Sequence, residues 1–252
     1  MAKKPARDWG ALRASLDGAL NDPGHPKFKV AEWIIMVCTV ASVLVTILST
    51  VPSLARFHRP FLVIEVLCAL LFMVEYAARL ALSPNRRAYA FSLWGFVDLM
   101  SFLPIFFVLV PLSAVIFAQQ LKILLVFRSL RIAKLARAYV LEKRLSLGAD
   151  GKAEDVKPEL HVSVYFLTLI SSSILNGAVM YALEGKQHHY STMPLAILEV
   201  VKIFMATVPH PANTTVGELF VLFIRFQGLC LLGLLIDVMG GFMRRMLFGH
   251  SK

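Results

Sequence analysis

The amino-acid sequence predicts an all-α membrane protein: a four-helix bundle, then a two-helix half carrying a short re-entrant helix. Three observations support that expectation. The 252 residues are 58% hydrophobic with a mean hydropathy of +0.69, above the roughly 45–50% apolar content of soluble domains. The apolar residues gather into long runs, most of them near the ~20 residues that a spanning helix needs. The polar stretch "SLGADGKAEDVKPE" (146–159) separates four of those runs from the rest and reads as a linker.

The first run is Val30 to Thr50, bounded by Lys27, Lys29 and Pro52. The second is Pro60 to Leu82, closed by "SPNRR", and the third is roughly Phe91 to Val110. The fourth, Ala114 to Val140, has a helical pattern but carries several cations. The fifth is Val162 to Leu183, and the last is Val216 to Phe248. Between them lies Met193 to Val208, about ten ångströms too short to span at 1.5 Å per residue. It is therefore expected to enter and leave on one side. Residues 1–29 form an N-terminal arm, 30–140 the bundle, 141–160 the linker, and 161–252 the second half with a short tail. The arm is basic and weakly amphipathic without a long apolar core, so it reads as an interfacial helix or a loose arm, not a cleavable signal.

The formal charge is +10, but the basic residues sit at the ends of apolar runs and on one helix. That distribution fits membrane topology and argues against nucleic acid as a partner. With six spans, the arm, Arg86 and Arg87, the linker and Arg244, Arg245 and Lys252 share one side. Both termini are then cytoplasmic, in the cell membrane, with Arg56 and Arg59 a minor dissent. Cys38, Cys68 and Cys230 lie inside apolar runs and read as small hydrophobes. No nucleophile triad or phosphate loop is present, so neither an enzyme nor a cofactor is expected. His188 and His189 lie in a polar loop and read as solvated, and His210 stands between two prolines, so no metal site is predicted.

"FRSLRIAKLARAYV" places Arg128, Arg131, Lys134 and Arg137 three residues apart, with apolar residues between them. Two arrangements fit: a basic helix lying on the membrane surface, or a buried stripe. Burying four cations costs on the order of 10–14 kcal/mol on insertion scales, so a buried stripe needs partners. Glu65 and Glu75 in the second run and Asp98 in the third supply them, which favours the bundle. One charge crossing the full field is worth about 2.3 kcal/mol per 100 mV. A helix of this kind therefore responds to membrane potential, unless its charges only hold the bundle together.

"IEVLCALLFMVEYAARLALSP", "WGFVDLMSFLPIF" and "FRSLRIAKLARAY" occur in that order. They resemble the second, third and fourth segments of the six-segment voltage-gated cation channels, most closely the potassium-channel branch. The resemblance covers about residues 30–248. It implies a voltage-sensor domain over 30–140 and a pore domain after the linker. It also implies a charge-transfer site at Phe72, Glu75 and Asp98, with Glu65 as a further counter-charge. Arg128, Arg131, Lys134 and Arg137 would be the gating charges. Leu125 and Gln119 stand where the family often has cations, implying a shallower voltage dependence. A homotetramer in the bilayer, passing monovalent cations, follows from the same resemblance.

"MATVPHPANTTVGE" resembles the family's filter and the entry to its last helix. Thr207 and Val208 survive, but Pro209, His210 and Pro211 stand where Gly-Tyr-Gly is usual. A potassium filter strips the ion's water with stacked backbone carbonyls, and its glycines adopt angles closed to other residues. Proline fixes φ near −65°, lacks an N–H and pushes the preceding residue toward extended geometry. The usual stack is therefore not expected, and the pathway is either poorly selective or vestigial. Glu199 and Lys202 lie on the short helix at ion-pair spacing, and Arg225 and Asp237 lie in the last span. Intramembrane charges are functional candidates; pairing with each other or with the sensor is the alternative. A transporter built on Asp237 and Arg225 is disfavoured by the lack of an internal repeat.

Overall fold

A computed structural model describes residues 26–83, 85–109, 124–135 and 158–248. Arg137, most of the N-terminal arm and most of the linker lie outside them. The described residues are almost entirely helical and contain no strand. We label the helices α1 (Pro26–Leu48), α2 (His58–Leu82), α3 (Arg86–Ala90) and α4 (Leu93–Leu109). They continue with α5 (124–135), α6 (Pro158–Glu184), α7 (Met193–Phe204) and α8 (Thr215–Phe248).

Four stretches among the described residues are long and apolar enough to cross a membrane: Phe28–Leu48, Pro52–Leu82, Val162–Glu184 and Thr215–Gly241. Each matches an expected span. The third candidate starts later than its apolar pattern. Its chain turns at Phe91, and the Ser92 hydroxyl accepts from the Gly95 amide at 3.0 Å, so the helix begins at Leu93. Of the fourth, only 124–135 is described, and it is helical throughout, tightening to a 3-10 turn at Leu130–Ile132.

The packing of the first four runs follows from residue size. α1 turns small polar side chains inward, with Thr39, Ser42 and Thr46 buried at helical spacing. Thr39 and Thr46 return their hydroxyls to the carbonyls of Ile35 and Ser42, at 2.7 and 2.9 Å. That satisfies them where no water can reach. α2 meets α4 through Cys68, Ala69, Phe72 and Phe102. Between membrane helices such contact works mainly by van der Waals fit.

The second half has its own core of Met180, Tyr190, Ala196, Val200, Ile203 and Ile224. α6 approaches α7 closely at Gly177, where any Cβ would strike Ile197. α7 is capped by Thr192 and carries Pro194 in its first turn, where the missing N–H is harmless. It ends at Phe204, short of the Val208 limit of the apolar run, because Ala206 takes a positive φ of 55° and Val208 precedes a proline. The Thr50 hydroxyl accepts from the Met193 amide at 2.9 Å, tying the end of α1 to the start of α7.

Candidate functional site

The cationic stripe lies on α5. In an α-helix a three-residue step drifts around the axis, but a 3-10 turn eclipses i and i+3. The 3-10 turn at Leu130–Ile132 thus helps bring Arg128, Arg131 and Lys134 to one side. All three are buried, Arg131 completely.

Their partners come from three other helices. Glu65 Oε1 lies 2.9 Å from Arg128 Nε and 3.8 Å from Arg131 Nη1. Arg131 Nε donates to the Ser101 carbonyl at 2.6 Å, and Nη1 donates to the Ser42 hydroxyl. Lys134 Nζ lies 2.8 Å from Glu75 Oε2 and 3.3 Å from Asp98 Oδ1. Two neighbours steady these acids. Arg79 Nε sits 3.0 Å from Glu75 Oε1, and the Tyr89 hydroxyl donates to Asp98 Oδ2 at 2.6 Å.

Phe72 has no exposed surface. Its ring centroid lies 4.3 Å from Lys134 Nζ and 5.7 Å from Arg131 Cζ, within cation–π range. Glu65, Phe72 and Glu75 are seven and three residues apart, so one face of α2 presents acid, ring and acid in turn. The ring stands between a cation held by the first acid and one held by the second. The surface-helix alternative does not describe these residues: Arg128, Arg131 and Lys134 are buried, each near at least one carboxylate. Ser42, Ser101 and Tyr89 complete the cage and were not singled out in the sequence. The inward Thr39–Ser42–Thr46 stripe was the available signal for the room that Arg131 occupies.

The second cluster surrounds residues 207–212, which have no regular structure. Polar backbone groups outside helices and sheets need other partners where they are shielded from water. The Thr207 amide and hydroxyl donate to the Lys202 carbonyl at 2.9 and 2.7 Å. The His210 amide donates to Glu199 Oε2 at 3.1 Å, and His210 Nδ1 lies 3.0 Å from Glu199 Oε1. The Tyr190 hydroxyl donates to the His210 carbonyl at 2.8 Å. Pro209 is buried, while Val208 is 89% exposed. The expected Glu199–Lys202 pair forms at 2.6 Å, but Glu199 also holds the loop.

Glu184 was also missed in the sequence. Buried at the end of α6, it accepts from the amides of Asn213 and Thr214 at 3.2 and 3.0 Å, and from the Thr214 hydroxyl. Gly217 leaves room beside it, since a Cβ there would press on the Glu184 carboxylate and the Ala212 methyl. Further down α8, Gln227 bridges to Asn176 and Ser172 of α6 at 2.6 and 3.0 Å. Arg225 and Asp237 are both exposed on α8, twelve residues and therefore about 18 Å apart. Among the described residues they form no ion pair with each other or with the bundle.

Residues 28–245 match the family model described as Ion transport protein. The chain is 25% identical over 174 residues to the "Putative potassium channel protein" of Rhodopseudomonas palustris, an alignment covering 63% of this chain and 39% of that protein. The chain thus matches about two fifths of the length of that curated relative.

Proposed function

The chain belongs to the ion transport protein family, and on that premise we propose that it is a voltage-gated channel passing monovalent cations with poor potassium selectivity. With several helices able to span a bilayer, it is an integral membrane protein. In our reading residues 30–140 are the voltage sensor, 161–252 the pore domain, and four chains close one pore in the cell membrane with cytoplasmic termini. Arg128, Arg131, Lys134 and Arg137 carry the gating charge. Phe72, Glu75 and Asp98 form the site through which cations pass singly, and Glu65 receives them on the other side.

The observation that carries this reading is Phe72 flanked by Arg131 and Lys134, with acids above and below. An aromatic ring excludes water without offering a full countercharge, so it separates two resting places. A cation moving from one acid to the other exchanges like partners, while crossing part of the field worth about 2.3 kcal/mol per charge per 100 mV. If three of these four charges cross the full field in each of four subunits, the sum is roughly 28 kcal/mol per 100 mV on that figure.

Poor selectivity follows from Thr207, Val208, Pro209, His210 and Pro211. Both glycine-equivalent positions are proline, and the His210 carbonyl already accepts from Tyr190. An occupied carbonyl is a weaker ligand for an ion. Bilayer recordings of the purified chain, in potassium and then sodium, test the proposal: comparable permeabilities are expected. Strong potassium selectivity would refute the account of the prolines. Replacing Pro209→Gly together with Pro211→Gly should raise the potassium preference. The withheld His210 carbonyl also favours a second reading, a voltage-responsive protein with a vestigial pore. It predicts gating currents without ionic current at any voltage.

A further inference from the structure

The Pro-His-Pro unit places His210 in a cluster of metal-ligand side chains that the channel reading does not use. His189, Glu199 and His210 bring one metal-ligand atom each within 4.8 Å of one another. They come from three places: the turn after α6, the middle of α7 and the loop after it. The two imidazoles stack with centroids 3.3 Å apart and planes 9° from parallel. Glu199 Oε1 touches His210 Nδ1 at 3.0 Å, and the Glu199 carboxylate is itself 4% exposed.

We propose that His189, Glu199 and His210 form a divalent transition-metal site, best suited to Zn2+, which clamps the turn 188–190 to the loop 207–212. Two imidazoles and a carboxylate are an established zinc ligand set, leaving a fourth position for water. Zn–N and Zn–O bonds near 2.0–2.2 Å set neighbouring ligands about 3.4 Å apart in a tetrahedron. The 4.8 Å cluster therefore has to contract modestly. Stacked rings aim their in-plane lone pairs side by side, so one ring must turn edge-on to share an ion. His189 is exposed and can do so.

His210 supplies the fixed side. Pro209 and Pro211 restrict the backbone on both flanks, and Glu199 and Tyr190 hold its amide and carbonyl. Metal sites depend on ligands oriented by such second contacts. Lys202 pairs with Glu199 in the metal-free arrangement at 2.6 Å, but its side chain is 35% exposed and can leave for water.

The test is Zn2+ binding by the untagged full chain in detergent, titrated against a competing chelating dye. It needs no ionic current, so its failure and that of the channel reading are separable. One zinc per chain is expected, at micromolar or tighter affinity. His189→Ala and His210→Ala should each weaken binding on the order of tenfold to a hundredfold, and His188→Ala should leave it unchanged. Because His210→Ala also disturbs the loop, the exposed His189→Ala variant is read separately with Co2+. Visible bands of a four-coordinate site should appear in the wild type and vanish in that variant. Wild-type zinc affinity in His189→Ala, or no zinc retained at micromolar concentration, overturns the proposal.

Discussion

Both halves of the chain bury ionisable side chains, and they satisfy them differently. In the bundle, cations on α5 meet acids on α2 and α4, so charge answers charge within one chain. In the second half, the buried carboxylates Glu184 and Glu199 answer backbone amides of an irregular loop. Meanwhile Arg225, Asp237 and a row of large apolar residues on α8, among them Phe226, Leu229 and Ile236, stay uncovered. Among the described residues, each buried cation on α5 has a carboxylate of its own chain within 4 Å. The exposed face of α8 is open to lipid or to the other chains of the proposed tetramer. In a membrane a polar group without a partner is expensive, so where its partners lie marks what the segment is built to join.

The sharpest way to break this comparison is Glu65→Gln. Among the described residues, Glu65 is the acid nearest both Arg128 and Arg131. Its loss leaves buried guanidinium charge uncompensated, which typically costs about 3–5 kcal/mol. A large drop in detergent melting temperature is expected, with a shifted voltage midpoint. Glu75→Gln should cost less, because Asp98 still faces Lys134. Equal losses would mean that the two acids are not separate stations. An unchanged melting temperature for Glu65→Gln would mean that Arg128 and Arg131 find water.

Glu184→Gln should come next. The amide keeps one acceptor oxygen but turns an NH2 toward amides that need acceptors. Each buried donor left without a partner costs about 1–3 kcal/mol. Loosening of the loop should appear as lost oligomer on size exclusion and a lower melting temperature, while the voltage midpoint holds. A midpoint shift as large as that of Glu65→Gln would show the halves to be energetically one unit, joined through contacts such as Thr50 to Met193.

The same contrast explains what the sequence disclosed. The bundle's chemistry is periodic. A three-residue step of cations and three acids in apolar runs pointed to the ion pairs the bundle forms, whereas Phe72 was singled out only through the family resemblance. The short helix α7 was legible by length. The loop's partners were not, because Tyr190 and Glu184 act on backbone groups twenty or more residues away. Backbone amides carry no letter in a sequence. The two prolines led to the expectation that the usual filter stack does not form, without showing what holds the loop in place. The His188–His189 pair read as solvated, and both are exposed; what one dimension does not show is the His189 ring stacked on His210.

Tyr190→Phe should have the smallest effect on stability and the most specific one on function. It removes one hydroxyl from a buried ring, so the loss is about 1 kcal/mol and the fold should persist. The His210 carbonyl, freed from its 2.8 Å donor, regains both lone pairs for an ion. If that hydrogen bond helps keep the pathway unselective, the potassium-to-sodium permeability ratio should rise modestly in bilayer recordings. Combined with Pro209→Gly and Pro211→Gly, it should rise further than with the glycines alone. An unchanged ratio in both backgrounds would assign the altered pathway to the proline backbone by itself. Tyr190 would then be a fastener of the loop, with no part in choosing the ion.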